Sequence, residues 1–427
     1  MADDKRPFGL WTATAMVVGS MVGAGIFVLP AQLAPFGWTG LAAWIAAGLG
    51  AMAIALVIAD LTRTMPEEPS LIAICGEVLG PLPGVLIGWS YWVSLWCGTA
   101  VVATTAASYL SSLVPGFTAT PLQLAVGGTG IATALTLLNL RGARAAGQFQ
   151  VVTTLLKLIP LLAVVAILLR LVLTEPGRFA VTLHAPFAAA SLTPALTLAF
   201  FAMLSFETAS LVTERVRDPA RNVVRATLAG LGATTMLYIV VCMGIVLALP
   251  VDVLSASPAP VAYFVESFWG GWAGSAVALL TAVAGIGYVN AAVLLQGELP
   301  LTAVRGGMMP GWIAPTNRHD VAAWPMVLGS GCAVALMIGG ATGFGANLLD
   351  FMLRLTAAAT IWFYLGACVS ALILRRRRVL ALTGIAFSLW VLYGCGLEAG
   401  GLGVLLMLLG LPLYYAARRV SFAGSSG

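Results

Sequence analysis

Long stretches without one charged side chain constrain this chain more than any other feature. None lies between Arg6 and Asp60, and none between Glu77 and Arg141. A helix that crosses a bilayer core takes about 20 apolar residues, so each stretch holds two crossings. Single crossings follow at about 150–172 (with Lys157), 190–213 (with Glu207), 226–251, 267–297, 321–349, 355–374, 379–397 and 399–417. The chain is 60% hydrophobic and 9% charged, where a soluble domain carries about a quarter charged residues. Strand-length alternation is absent, which excludes a β-barrel. The expected fold is an all-α integral membrane protein with about twelve transmembrane helices.

Arginine placement sets the orientation. With Lys5 and Arg6 in the cytoplasm, the inner loops carry Arg63, Arg141, Arg144, Arg215, Arg217, Arg221, Arg225, Arg305, Arg318, Arg375 to Arg378, Arg418 and Arg419. Lys157, Arg170, Arg178 and Arg354 fall elsewhere. Both termini are therefore expected in the cytoplasm. This bias explains the net charge of +5 without a nucleic-acid partner. The first apolar run is too long for a cleaved signal and begins a bundle. The cysteines at 75, 97, 242, 332, 368 and 395 are scattered without a CxxC pair, and the only histidines, His184 and His319, lie in expected loops. That pattern gives no basis for a disulfide framework, a metal site, a cofactor or a hydrolase triad.

The first hydrophobic span contains "VVGSMVGAGIFVLP", residues 17–30, with glycines at 19, 23 and 25 and Pro30. Glycine and proline are poor helix formers. One reading is close packing between helices, since Gly19 and Gly23 have small-xxx-small spacing. The sharper reading is a discontinuous helix whose second half starts near Gly23. Its free amides at Gly23, Ala24 and Gly25 would attract a carboxylate. Freed carbonyls around Ser20 and Met21 would meet an ammonium or a cation, as at the midplane of transporters.

Two charged residues, Glu207 and Lys157, lie well inside spans. A carboxylate such as Glu207 at the bilayer centre costs about 2.5–3.5 kcal/mol on insertion scales, so it needs a partner or a wet path. It is either a structural hydrogen-bond anchor or a gating, proton-sensing acid. Lys157, in "TTLLKLIPLL", is as costly, and lies about two turns inside the expected fifth span. Snorkelling is the bland alternative. Tyr91, Trp92 and Ser94 are expected to open the third helix, where aromatics usually form an interfacial belt. Asn290, in "GIGYVNAAV", either faces the site or bonds a neighbouring helix.

"GSMVGAGIFVLPAQLAPFG", "YWVSLWCGTA" at 91–100, "FETASLVTERVRDPARNVVRAT" at 206–227 and "RGGMMPGWIAP" at 305–315 resemble the amino acid–polyamine–organocation transporters. Within that superfamily the chain is most similar to the basic amino acid/polyamine antiporters. The resemblance implies one transmembrane domain over 1–427, built as a five-plus-five inverted repeat (LeuT-like) with helices one and six broken. Helices one to five would span about 9–173, six to ten about 190–374, and two more about 379–417.

The resemblance also implies roles. Glu207 stands at a position that serves the gate and the pH response, and Tyr91 lies beside the expected pocket. Phe201 takes the place of an aromatic over the substrate, here phenylalanine instead of tryptophan, which weakens cation–π attraction. Thr99 replaces an amide side chain, Ser205 a glycine, and Ala24 a serine. These changes argue for a substrate smaller than, or different from, arginine. A helix-five lysine such as Lys157 substitutes for sodium in some proton-coupled relatives. Glu67 and Glu68 stand where paired glycines are common.

The expected function is sodium-independent secondary transport of an amino acid or amine across a bacterial inner membrane, by exchange or proton coupling. The substrate would contact Ser20, Met21, Gly23, Ala24, Gly25, Ser94, Thr99, Phe201 and Asn290. Glu207, Lys157 and Tyr91 would serve gating and proton coupling. Besides this substrate and protons, the expected surroundings are the lipid bilayer, and a homodimer is left open. The alternatives are a proton-coupled symporter for small neutral amino acids, a channel, or a membrane sensor. No HExxH, GxSxG or paired catalytic aspartates point to an enzyme.

Overall fold

The computed structural model describes residues 9–23, 25–65, 68, 70–114, 119–141, 153, 156–177, 179, 185–207, 216–305, 309, 311–318, 321–343 and 348–415. The described elements are helical apart from one isolated bridge, Thr316 to Ala322. In chain order the longer helices are α1 (Leu10–Met21), α2 (Gly25–Leu33), α3 (Trp38–Thr64), α4 (Leu71–Leu79), α5 (Pro81–Ser111) and α6 (Pro121–Asn139). Next come α7 (Leu158–Thr174), α8 (Leu192–Met203), α9 (Pro219–Tyr238) and α10 (Pro260–Trp269). The remainder are α11 (Gly271–Arg305), α12 (Ala323–Gly343), α13 (Leu348–Ile373), α14 (Arg378–Gly394) and α15 (Gly396–Leu408).

Eight described helices are long and apolar enough to cross a bilayer. The α1–α2 pair, bent by 48°, forms a broken ninth crossing. Three shorter apolar helices, α7, α8 and α14, complete the bundle of about twelve that the charge-free runs predict. Local chemistry marks the ends. Thr120 and Gln123 form a reciprocal capping box at α6, with Pro121 at its first position. Ser70 accepts from the Ala73 amide to cap α4.

The central post is α5, which packs on α11 and α13. Its most apolar window is 89% buried, against 22% for the stretch Gly396–Tyr415, which faces outward. Around this post α1 packs against α9, α8 against α3, and α14 against α13. Arg354, an exception to the inner-loop bias, is held by Asp350 at 2.8 Å and donates to the Gly394 carbonyl at the end of α14. There a cation complements both the carboxylate and the negative end of a helix. At the arginine-rich end, Asp60 of α3 takes Arg376 at 3.0 Å and Arg377 at 3.4 Å.

Candidate functional site

The first span breaks where the glycines lie. After Met21 the chain makes an inverse γ-turn: Val22 has φ −70° and ψ 78°, and the Gly23 amide donates to the Met21 carbonyl at 2.7 Å. Helix resumes at Gly25, so the first amides of α2 have no partner from a preceding turn. Ala24 lies outside the described residues.

A second break faces the first. Helix α8 stops at Met203, Leu204 turns extended at ψ 158°, and Ser205 takes φ 75°. That left-handed conformation favours glycine, which is why serine here is a departure with a cost. Ser20 Oγ donates to the Ser205 carbonyl at 3.1 Å and to Val17 at 3.0 Å, tying one break to the other. Phe201 lies across the start of α2, where a Cβ built on Gly25 would stand 2.7 Å from its Cε1. Ser20, Ser205 and Tyr288 remain half-buried although Met21, Val22, Gly23 and Gly25 are buried, so the junction is not packed solid.

Just past the second break, Glu207 is fully buried. Tyr91 Oη of α5 donates to its Oε1 at 2.7 Å, and Tyr364 Oη of α13 donates to its Oε2 at 2.6 Å. The Ser205 backbone also meets the Tyr364 hydroxyl. Phe206 stacks on Tyr364 with centroids 4.9 Å apart, and Phe363 lies against Tyr91 at 4.6 Å. One carboxylate in an aromatic cage thus joins three crossings, and its charge-assisted hydrogen bonds are of the stronger kind.

Lys157 is buried at the N-terminal edge of α7, its amide donating to Thr153 at 3.2 Å. Its ammonium donates to the Gly19 carbonyl in the last turn of α1. A long side chain that reaches inward to a carbonyl is not snorkelling.

These geometries sort the expected site residues. Ser20, Gly23, Gly25 and Phe201 meet at the junction, with Lys157 behind it and Tyr91 and Glu207 below. The Met21 carbonyl is not free, because it accepts from both the Gly23 amide and Tyr238 Oη at 2.7 Å. Ser94 is buried and turns its hydroxyl back to the Tyr91 carbonyl at 2.6 Å. Thr99 donates to Leu95 and accepts from Gln296 Nε2 at 3.0 Å, in a polar chain that continues through Ser330 to Thr136. Asn290 accepts from Asn139 Nδ2 of α6 at 2.9 Å, so it takes the helix-bonding alternative. Tyr91 and Trp92 do not open their helix, which begins at Pro81. Trp92 is buried, donates to the Gln296 carbonyl at 2.9 Å, and is no belt residue. A cavity of about 140 Å³ lined by Ser112, Ser257, Tyr263 and Glu266, at the ends of α5 and α10, holds none of these residues.

A family profile described as "Amino acid permease" matches residues 8–420. The chain belongs to the amino acid permease family. The permease is thus a multi-pass membrane protein that carries amino acids, and its five-plus-five order with broken first and sixth helices is that of the amino acid–polyamine–organocation superfamily. It is 27% identical over 375 residues to a cadaverine/lysine antiporter of Escherichia coli, covering 85% of this chain and 83% of that one. It is 28% identical over 403 residues to a putative arginine/ornithine antiporter of Bacillus subtilis, covering 87% and 84%. An uncharacterized transporter of Mycobacterium bovis is 26% identical over 428 residues, covering 98% and 92%.

Sequence reasoning about the permease missed Tyr238, Tyr288 and Gln296. Aromatics inside apolar spans look like core. The signal that separates Tyr364 is its partner, a carboxylate far away in sequence, and no local pattern encodes that.

Proposed function

We propose that this permease exchanges amino acids, of the basic amino acid/polyamine kind, across a bacterial inner membrane, with protons as the coupled species and both termini cytoplasmic. The observation that carries this reading is the meeting of two helix breaks beneath Phe201, tied by Ser20 and Ser205. The substrate carboxylate rests on the amides of Ala24 and Gly25, at the positive end of α2, since the expected Gly23 amide is taken by the Met21 carbonyl. Its α-ammonium points to the carbonyls at the end of α8, the negative end of that helix. Phe201 covers the bound molecule. Glu207 links closure to pH through Tyr91 and Tyr364. The relatives named as antiporters support exchange as the cycle.

Proton symport is the second reading, favoured by the contact of Lys157 with Gly19. An ammonium there occupies a carbonyl that a sodium ion would need, and losing its proton releases the last turn of α1. Counterflow in proteoliposomes decides between them. Uptake of labelled lysine that requires internal amino acid, without sodium, supports exchange. Uptake into empty vesicles driven by a pH gradient supports symport. Binding without flux leaves a sensor, and flux without counterflow a channel.

A further inference from the structure

The turn between α13 and α14 concentrates charge that the fold itself leaves unbalanced. Helix α13 ends at Ile373 and α14 begins at Arg378, so Arg375, Arg376, Arg377 and Arg378 are gathered in one place, all exposed. Among the described residues Asp60 of α3 is the one acid paired with them, and it takes Arg376 and Arg377, leaving Arg375 and Arg378 without an ion pair. Arg63, also exposed, stands one turn beyond Asp60 on α3 and adds another cation. Local structure does not ask for these arginines. Arg375 and Arg377 hold left-handed backbone, at φ 56° and 36°, which an L-residue adopts at a cost and which glycine or asparagine takes more readily. Arg378 opens α14, where the helix dipole disfavours a cation.

The surroundings of the cluster select its partner. Ile373, Leu374, Val379 and Leu382 are exposed beside it, Val379 at 78%, so the arginines border directly on the apolar outer surface of α13 and α14. A soluble phosphate would meet the charge and leave those neighbours unused. An anionic phospholipid engages both, its phosphate in bidentate hydrogen bonds to guanidinium groups and its acyl chains along the apolar side chains. Basic clusters at the end of a span attract anionic lipid in this way. We infer that the α13–α14 turn binds the headgroup of an anionic phospholipid. Arg375 and Arg378 take the phosphate, while Asp60 holds Arg376 and Arg377 in place beside it.

The test is native mass spectrometry of the full-length protein in detergent, titrated with phosphatidylglycerol or with phosphatidylcholine of the same acyl chains. An arginine beside an anionic headgroup is worth roughly fivefold in affinity, so two should give wild type a preference of about 25-fold for phosphatidylglycerol. The double variant Arg375→Gln/Arg378→Gln should lose most of that preference. Arg375→Lys/Arg378→Lys keeps the charge without the planar fork and should retain part of it, which keeps the test available if the glutamine pair does not fold. Arg221→Gln/Arg225→Gln, on α9, changes the net charge equally and should leave the preference within about twofold of wild type. Equal binding of the two lipids by wild type, an unchanged preference in both 375/378 variants, or an equal loss in the 221/225 variant overturns the assignment. Release of the lipid by glycerol 3-phosphate identifies a site for soluble phosphate and overturns it as well.

Discussion

Replacing Glu207 by glutamine probes the clamp that joins α5, α13 and the second break. The carboxylate accepts at both oxygens, from Tyr91 at 2.7 Å and Tyr364 at 2.6 Å. Glutamine keeps one acceptor oxygen and turns the other into an NH2 group that faces a phenol donor. Hydrogen bonds to charged groups are worth about 1.5–3 kcal/mol and neutral ones about 0.5–1.5 kcal/mol. Trading two of the former for one of the latter removes about 1.5–5.5 kcal/mol from the clamped state, roughly 10- to 10,000-fold in its population. The pH dependence has the same origin. A proton added to the carboxyl removes its charge and turns both tyrosine bonds into weaker neutral ones, so the clamp is strongest at higher pH and loosens as pH falls through the titration of Glu207. Glu207→Gln is fixed in the loosened condition. Its counterflow rate, measured between pH 5 and 8 in proteoliposomes, should lose most of the wild-type slope; Tyr364→Phe should lose part of it and keep the midpoint direction. A Glu207→Gln profile that overlays wild type refutes the clamp and reduces the residue to a scaffold.

Lys157→Ala removes the ammonium from the Gly19 carbonyl and should abolish uptake driven by a pH gradient while calorimetry still detects substrate binding; unaltered proton dependence removes Lys157 from coupling. Gly25→Ala would place a methyl 2.7 Å from Phe201 Cε1, and overpacking of that kind costs about 1–3 kcal/mol. Substrate affinity should fall about tenfold or more with the variant still folded, and a wild-type KM would show that Phe201 does not cover the site. Ser205→Gly relieves a left-handed backbone whose cost in a non-glycine residue is about 1–2 kcal/mol. The thermal midpoint in detergent should rise by a few degrees, and a lower midpoint would show that the serine side chain contributes more than the strain it imposes.

The bundle was legible in the sequence because a bilayer imposes a rule on whole segments. Charge-free length alone marks a crossing, so about twelve spans follow without tertiary information, whereas the glycines at 19, 23 and 25 left a break and close helix packing both open. Glu207 and Lys157 stood out for the same reason, since a charge in hydrocarbon demands an explanation wherever it lies. Hydroxyls and amides make no such demand. Ser94, Thr99 and Asn290 are mildly polar groups that satisfy themselves on their own helix or the next one, and the sequence does not say which way they turn. The Met21 carbonyl was misjudged because its second donor, Tyr238, comes from α9, over two hundred residues along the chain.

That last contact changes how the broken helix works. A carbonyl freed by a γ-turn would pull an ammonium or a cation toward Met21, but Tyr238 and the Gly23 amide already saturate both of its lone pairs. Gly19, one turn earlier, is likewise held by Lys157. The end of α1 is therefore locked from two sides by protein groups, while the first amides of α2 have no acceptor in a preceding helical turn. The polarity of the first break is that of an anion site, and any cation must be met elsewhere. On the proposed reading the group able to do so lies on another helix, in the carbonyls that end α8. A ligand held in that way between α2 and α8 would stabilise a closed state more than an open one, as transport by alternating access requires.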